Sequence, residues 1–283
     1  MLYFIEHLWY DREKPTVAER KMLDKIKLEK YLIIPDVHLP FHDKLTLNSV
    51  YNLAKDLQPD IIVQLGDLID CYALSNYSKD PNRLLTFQKE IDLAINFWKK
   101  LHQICPNSQK YYKLGNHERR FQNILYSNPQ LSPLKALNLA SLMDLDKYEV
   151  KMYDEHEKLI FNDKLVITHG TYVSGISGQS AMKEMNNRRQ FGVSGHVHRA
   201  GKVFDTKGDG CCCWVESGFL GDLEAGFEFM GDKSVNWQQS ITVASMWKKD
   251  DVWDCQLDLL EAHDHCFLYN NKMYCPAAVI DCE

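Results

Sequence analysis

The chain predicts an α/β fold built on a mixed sheet, or on two sheets packed face to face, and two observations carry that prediction. In the first half a short apolar run, a polar loop and a helical stretch follow one another and then recur, the alternation expected of parallel strands joined by helices. In the second half the pattern changes to paired strands with turn residues between them. No repeat, low-complexity tract or linker rich in Pro, Gly and Ser divides the 283 residues. Residues 29–283 therefore read as one domain, and residues 1–28 as an N-terminal helical extension.

Each element has a local reason. In the extension, Thr16 and Glu19 form a capping pair ahead of an amphipathic pattern, while Phe4, Ile5, Leu8 and Trp9 form an apolar group that packs on the protein's own core or on a partner. "YLIIP" reads as a buried strand and "DVHLPFHD" as the turn after it. A helix is expected from Leu45 to Leu57, then a second buried strand, "DIIVQL", ending at "GDLID". Phe87, Ile91, Ile95, Trp98 and Leu101 recur at steps of three and four, which predicts a long helix from about Arg83 to Ile104. "KYYKL" is a third strand, ending at "GNHERR", and "SPLKALNLASLMDL" reads as helical. Beyond it, "KLIFNDKLVITHG" is a hairpin turning at Asn162 and Asp163, and "SITVASMWKKDDVWDCQLDLL" another turning near Asp250 and Asp251. One helix, from Gly178 to Gln190, interrupts this β-rich half.

Composition narrows the function classes. The chain is 45% hydrophobic, enough for a sizeable core, yet no run reaches the roughly 18–20 apolar residues that span a bilayer, so a cytoplasmic protein without membrane association is expected. A net charge of −6 argues against a broad electrostatic footprint for duplex DNA. It leaves room for a local basic rim from Arg119, Arg120, Lys183, Arg188, Arg189 and Arg199, although most such residues are ordinary solvated charges. The nine cysteines include no CxxC pair and read as reduced, mostly packed thiols. The tail "AHDHCFLYNNKMYC" gathers His263, His265, Cys266 and Cys275; it reads as a polar loop and a hairpin, with a structural zinc site as the alternative.

The chemistry is concentrated in the loops after the strands, where open α/β sheets bind ligands. They hold Asp36 and His38 in "PDVH", Asp67 in "GD", Asn116 and His117 in "GNHE", His169 in "THG", and His196 with His198 in "GHVH". Any one of these fragments is weak evidence, since a lone loop histidine is usually a structural hydrogen-bonding residue. Together they assemble carboxylate, amide and imidazole donors, a mix suited to Mn, Fe, Zn or Ni rather than to calcium or a thiolate-bound zinc. Five of the eleven histidines fall in these loops, and the adjoining glycines let the backbone turn sharply beside an ion.

In this order the blocks "DVH", "GDLID", "GNHE", "THG" and "GHVH", spanning residues 31 to 200, resemble the calcineurin-like metallophosphoesterases. The stretch "WVESGFLGDLEAGFEFMGDKSVNWQQS" is similar to the corresponding region of phosphoesterases encoded by tailed bacteriophages, which would place the protein in a host cytoplasm. The resemblance implies a four-layer α/β/β/α sandwich with two mixed β-sheets. It also implies two divalent ions, manganese foremost, with Asp36, His38, Asp67 and His198 holding one, Asp67, Asn116, His169 and His196 the other, and Asp67 bridging. Such a pair acidifies water to hydroxide for attack on phosphorus and stabilises the charge of in-line displacement. Asp36 and Asp67 would then serve the reaction directly, and His117, left off the metals, would assist the leaving group. Asn116, His117, Arg119 and Arg199 are the candidates for gripping the substrate.

Glu118 and Asp70 either orient His117 or a ligand imidazole, or, equally, sit as carboxylates at a helix N-terminus. Asn48, Tyr72 and Trp237 are further candidates for the site, Cys71 reads as a packed thiol, and the stretch after Glu216 reads as hairpins that cap it. The expected substrate is a nucleotide or other small phosphoester. A nuclease is the alternative, weakened by the absence of a basic, aromatic-interleaved domain, and a non-catalytic metal- or phosphate-binding module is the second.

Overall fold

The computed structural model describes residues 27–76, 79, 86–208, 210–231 and 235–276. The expected helical extension, with Thr16, Glu19 and the Phe4 to Trp9 group, lies outside these residues apart from Lys27 and Leu28, which already belong to the first strand.

A six-stranded sheet is ordered β11-β10-β1-β2-β3-β4. Strands β1 (Lys27–Ile34), β2 (Ile61–Gln64), β3 (Gln109–Lys113) and β4 (Val150–Tyr153) run parallel, while β10 (Ser240–Lys249) and β11 (Val252–Glu261) add antiparallel at the β1 edge. A five-stranded sheet is ordered β5-β6-β7-β9-β8, from β5 (Leu159–Phe161), β6 (Leu165–Thr168), β7 (Phe191–Ser194), β8 (Ala200–Lys207) and β9 (Gly210–Ser217). Its central pairs β6–β7 and β7–β9 are parallel and its edges antiparallel, so both sheets are mixed.

Strand alternation sorts the core into layers. Tyr31 and Ile33 of β1, Val63 of β2 and Met246 of β10 pack against Leu165, Ile167, Val193 and Val215 of the second sheet, forming the inter-sheet core. The residues between them, Leu32, Ile34 and Ile62, face helices α1 (Lys44–Leu57) and α2 (Phe87–Ile104). On the outer face of the second sheet, Val166 and Trp214 meet Ala181 and Met185 of α4 (Gln179–Arg188). The result is the α/β/β/α sandwich. Helix α1 is capped by the Asp43 carboxylate, which accepts from Leu45 N and Thr46 N, and α2 by the Thr86 hydroxyl. The expected hairpin turns at Asn162–Asp163 and Asp250–Asp251 are present, with positive φ at all four residues as a type I′ turn requires.

Three expectations are corrected. The stretch 132–145, expected to be helical throughout, is helical only in short turns, because Asn138 starts a new turn with its own side chain, accepting from Ala140 N. The stretch after Glu216 is not all hairpin: it contains α5 (Leu223–Met230). Nor are all the cysteines reduced thiols. Cys266 and Cys275, brought together by the terminal hairpin of β12 (Phe267–Tyr269) and β13 (Lys272–Tyr274), form a disulfide. That bond removes both sulfurs from any zinc site, and His265 instead pairs with Asp43 at 2.9 Å.

Trp98 of α2 is fully buried against the first sheet, with its ring 5.8 Å from that of Tyr112. Trp98→Ala is expected to lower stability by about 3–5 kcal/mol, the usual cost of a large aromatic cavity, and urea denaturation followed by circular dichroism measures it.

Candidate metal centre

The carboxyl ends of the parallel strands in the two sheets converge. From the first sheet, the loop after β1 brings Asp36 and His38, the loop after β2 brings Asp67 and Asp70, and the loop after β3 brings Asn116 and His117. From the second, the loops after β6 and β7 bring His169, His196 and His198. Hydrogen bonds lace the loops laterally: Val37 N and His38 N donate to Asp67 O, and Gly195 N donates to His169 O.

Three groups of donors result: one joins His38 with Asp70 and His117, and the other two consist of candidate ligands. Asp36, His38 and His198 form one, with His198 Nε2 at 3.4 Å from Asp36 Oδ2 and at 2.9 Å from His38 Nε2. Asp67, His169 and His196 form the other, with His169 Nε2 at 3.4 Å from Asp67 Oδ2 and at 3.0 Å from Asn116 Oδ1. Asp67 Oδ2 also lies 3.9 Å from His38 Nε2, so this carboxylate stands between the groups. The structure therefore brings together all seven residues named as candidate ligands.

Neighbouring groups set which ring nitrogen each histidine presents. Asp70 Oδ2 lies 3.0 Å from His38 Nδ1, and Leu65 O lies 3.0 Å from His169 Nδ1, leaving each Nε2 aimed inward. His117 Nδ1 faces Asp70 O at 2.8 Å, which turns its Nε2 to within 3.8 Å of Asp67 Oδ2 and 3.3 Å of Arg120 Nη2. Asp70 thus orients imidazoles. Glu118 sits, as one of its two readings had it, at a helix N-terminus, opening α3 (Glu118–Ser127), and it orients no imidazole: its buried carboxylate accepts from Asp67 N, Ile69 N, Gly115 N and the Tyr112 hydroxyl.

The residues fit divalent ions on grounds internal to the site. Asp36 Oδ1 is fully buried and has no hydrogen-bond partner. Burial pushes the Asp67 carboxyl up, but the His169 and His117 charges outweigh it and hold it well below its ordinary value. Burial works against charge on His169 and His117 as well, yet Asp67 raises the first to about 10 and, with Asp70, the second to about 9. Burial and the His169 charge lower His196 to about 4. The cluster thus balances its carboxylates with protons on imidazoles, a role that a cation among carboxylate, amide and imidazole donors can take over.

Two glycines leave room for these carboxylates. A Cβ at Gly115 would stand 2.2 Å from Asp67 Oδ1, and one at Gly195 would stand 2.2 Å from Asp36 Oδ1. His38, Asp67, His196 and His198 all have φ between 50° and 73°, in the left-handed region that residues with a Cβ seldom adopt.

Other expected residues lie elsewhere. Arg119 pairs with Glu155 and His156, and Arg199 donates to Val197 O; neither lines the cleft beside the centre. Arg120 does. Asn48 accepts from Lys100 on the α1–α2 side, while Tyr72 and Trp237 line the cleft, and Cys71 is buried. Sequence reasoning missed Phe41 and Phe219, also in the cleft, and buried Glu90, which accepts from Cys71 N. Only Phe41 carried a signal, its position just after "DVHLP".

Residues 29–200 match the model of the calcineurin-like phosphoesterases. Two relatives are the Gene 54 proteins of Mycobacterium phage L5, 26% identical over 77% of this chain and 89% of its own length, and of Mycobacterium phage D29, 26% identical over 74% and 86%. Among solved structures, zinc-complexed wild-type Vps29 from Entamoeba histolytica aligns over 81% of this chain and 98% of that one, at 11% identity and a TM-score of 0.37, too loose a likeness to carry an argument. Among the described residues no helix is long and apolar enough to cross a membrane.

Glu118→Gln would turn an amide N–H toward donors that now share a carboxylate. It is expected to cost about 1–3 kcal/mol of stability by urea denaturation and to weaken Mn²⁺ binding about 10- to 100-fold by calorimetry, as loss of a supporting residue behind metal ligands does.

Proposed function

The chain belongs to the calcineurin-like phosphoesterase family, and from that premise we propose that it hydrolyses small phosphoesters, nucleotides included, with two divalent ions of which manganese is the foremost candidate. Asp36, His38, Asp67 and His198 would hold one ion, and Asp67, Asn116, His169 and His196 the other. The observation that carries this reading is the pair of donor groups with the Asp67 carboxylate between them. When bound, such ions polarise phosphoryl oxygens and acidify water.

The chain's own side chains would do the rest. His117, fixed at Nδ1 by the Asp70 carbonyl, presents Nε2 toward the cleft and can pass a proton to the leaving oxygen. Arg120, anchored through Nη1 on Asp70 O, sets a positive charge beside that imidazole and can draw a phosphate toward it. Asp70 links the two, so that proton donor and cation are positioned by one residue. A cavity of about 360 Å³ adjoining the donors accommodates a small molecule, and the net charge of −6 disfavours tracking along a polynucleotide.

The test is turnover of a panel of phosphomonoesters, phosphodiesters, nucleotides and DNA by metal-stripped protein reloaded with Mn²⁺. His117→Ala is expected to lower kcat by about 10²- to 10⁴-fold with metal content unchanged, the range for loss of a general acid. Asp67→Asn is expected to lose metal and activity together. Full metal content and full activity in Asp67→Asn would overturn the reading, and stoichiometric metal binding without turnover of any ester would replace it with a binding module.

A further inference from the structure

The cavity beside the candidate metal centre is walled by aromatic rings that none of the proposed metal chemistry requires. Phe41 and Tyr72, from the loops after β1 and β2, pack edge to face at 5.4 Å. Phe219 and Trp237, from either side of α5, pack at 5.5 Å. The second pair is joined to the centre: Phe219 stacks on the His198 ring at 4.9 Å and an interplanar angle of 9°, and Trp237 meets the same ring edge-on at 4.7 Å. His38, His117 and His198 line this same cavity, so it is continuous with the place where phosphorus would sit.

The backbone makes room for these rings. A Cβ on Gly226 would meet the Trp237 ring at 2.6 Å, and one on Gly221 would meet the Phe219 ring at 2.6 Å. Both glycines lie in the stretch that covers the site, and each lets that stretch close onto an aromatic ring. The stretch is also tied to the centre by its backbone: Leu220 N donates to Asp36 O, and Gln238 N to His198 O. Tyr72 and Phe219 are buried, whereas Phe41 and Trp237 are half-buried, so a ligand can reach the latter two rings. Arg120 and the exposed Asp222 add a donor and an acceptor to the lining.

We propose that this cleft is the binding site for the alcohol part of the substrate, and that this part is a nucleoside, its base stacked on Trp237 with Phe41 beside it. The inference rests on the phosphoesterase reading and names its substrate class. A planar π-face matches aromatic walls, and the Asp222 carboxylate in the lining offers an acceptor that a base edge can use and a phenyl ring cannot. At about 360 Å³ the cavity also has space for a sugar and a base, well beyond one benzene ring.

The test compares kcat/KM of the Mn²⁺-loaded full-length protein for adenosine 5′-monophosphate, ribose 5-phosphate and phenyl phosphate, in wild type, Trp237→Ala and Trp237→Phe. Stacking on one ring predicts a preference for the nucleotide over ribose 5-phosphate of about 10- to 100-fold, expressed in KM. That ratio should fall toward one in Trp237→Ala and persist in Trp237→Phe. Because it is taken within one preparation, partial loss of folding or metal cancels. Equal efficiency toward nucleotide and sugar phosphate in wild type, or an unchanged ratio in Trp237→Ala, would overturn the inference while leaving the phosphoesterase reading intact. A preference for phenyl phosphate over the nucleotide would replace the nucleoside by an aryl group and so overturn it also. If no ester turns over, the phosphoesterase reading fails, and calorimetry with adenosine alone decides the cleft: binding that is lost in Trp237→Ala supports it, and no binding to wild type overturns it.

Discussion

Four hydrogen bonds converge on one buried carboxylate, that of Glu118, and the candidate metal centre depends on them. Asp67 N and Ile69 N come from the loop after β2, Gly115 N from the loop after β3, and the Tyr112 hydroxyl from β3 itself. A charged acceptor shared among so many donors is worth more than the same number of neutral bonds, and its burial makes every partner costly to lose. It fixes the backbone of Asp67, the carboxylate between the two donor groups, while Asp67 Oδ1 accepts from His117 N and so ties the third loop to the second. One anion thereby positions another from behind.

The loops so held are under backbone strain. Four candidate ligands, His38, Asp67, His196 and His198, occupy the left-handed region, where a Cβ costs roughly 1 kcal/mol or more apiece. The lateral bonds between loops, the Glu118 acceptor and the space left at Gly115 and Gly195 are what let these conformations persist. The return is convergence: at positive φ these four side chains turn inward from three separate loops, those after β1, β2 and β7, instead of pointing away along their strands. The same economy governs the covering stretch, where Gly221 and Gly226 let backbone approach the rings of Phe219 and Trp237.

The two-sheet stack supplies the frame. Each sheet contributes parallel strands, and parallel strands bring their carboxyl ends to one edge, so stacking the sheets sets two rows of strand-end loops against each other. Asp36 and His196 illustrate the outcome: they come from different sheets, and His196 N donates to Asp36 Oδ2 at 2.8 Å. The inter-sheet core of Tyr31, Val63, Ile167 and Val215 is therefore what holds the two halves of the centre in register.

What the sequence determined by itself is what short-range physics controls. Periodicity placed α2, short apolar runs placed β1, β2 and β3, turn residues placed the hairpins at Asn162–Asp163 and Asp250–Asp251, and the Asp, Asn and His at strand ends marked the residues that the fold brings together. The tertiary structure alone decided everything that depends on pairs distant in the chain. His38 and His198 meet across 160 residues. Glu118, at the start of its own helix, also reaches 51 residues back to Asp67 N instead of an imidazole. Arg120 enters the cleft where Arg119 turns away, since adjacent positions on a helix face different directions. Cys266 and Cys275, ambiguous as letters, are joined because the hairpin between them folds back. Phe219 carried no local mark at all, and its place against His198 follows from a covering stretch whose course no periodicity encodes.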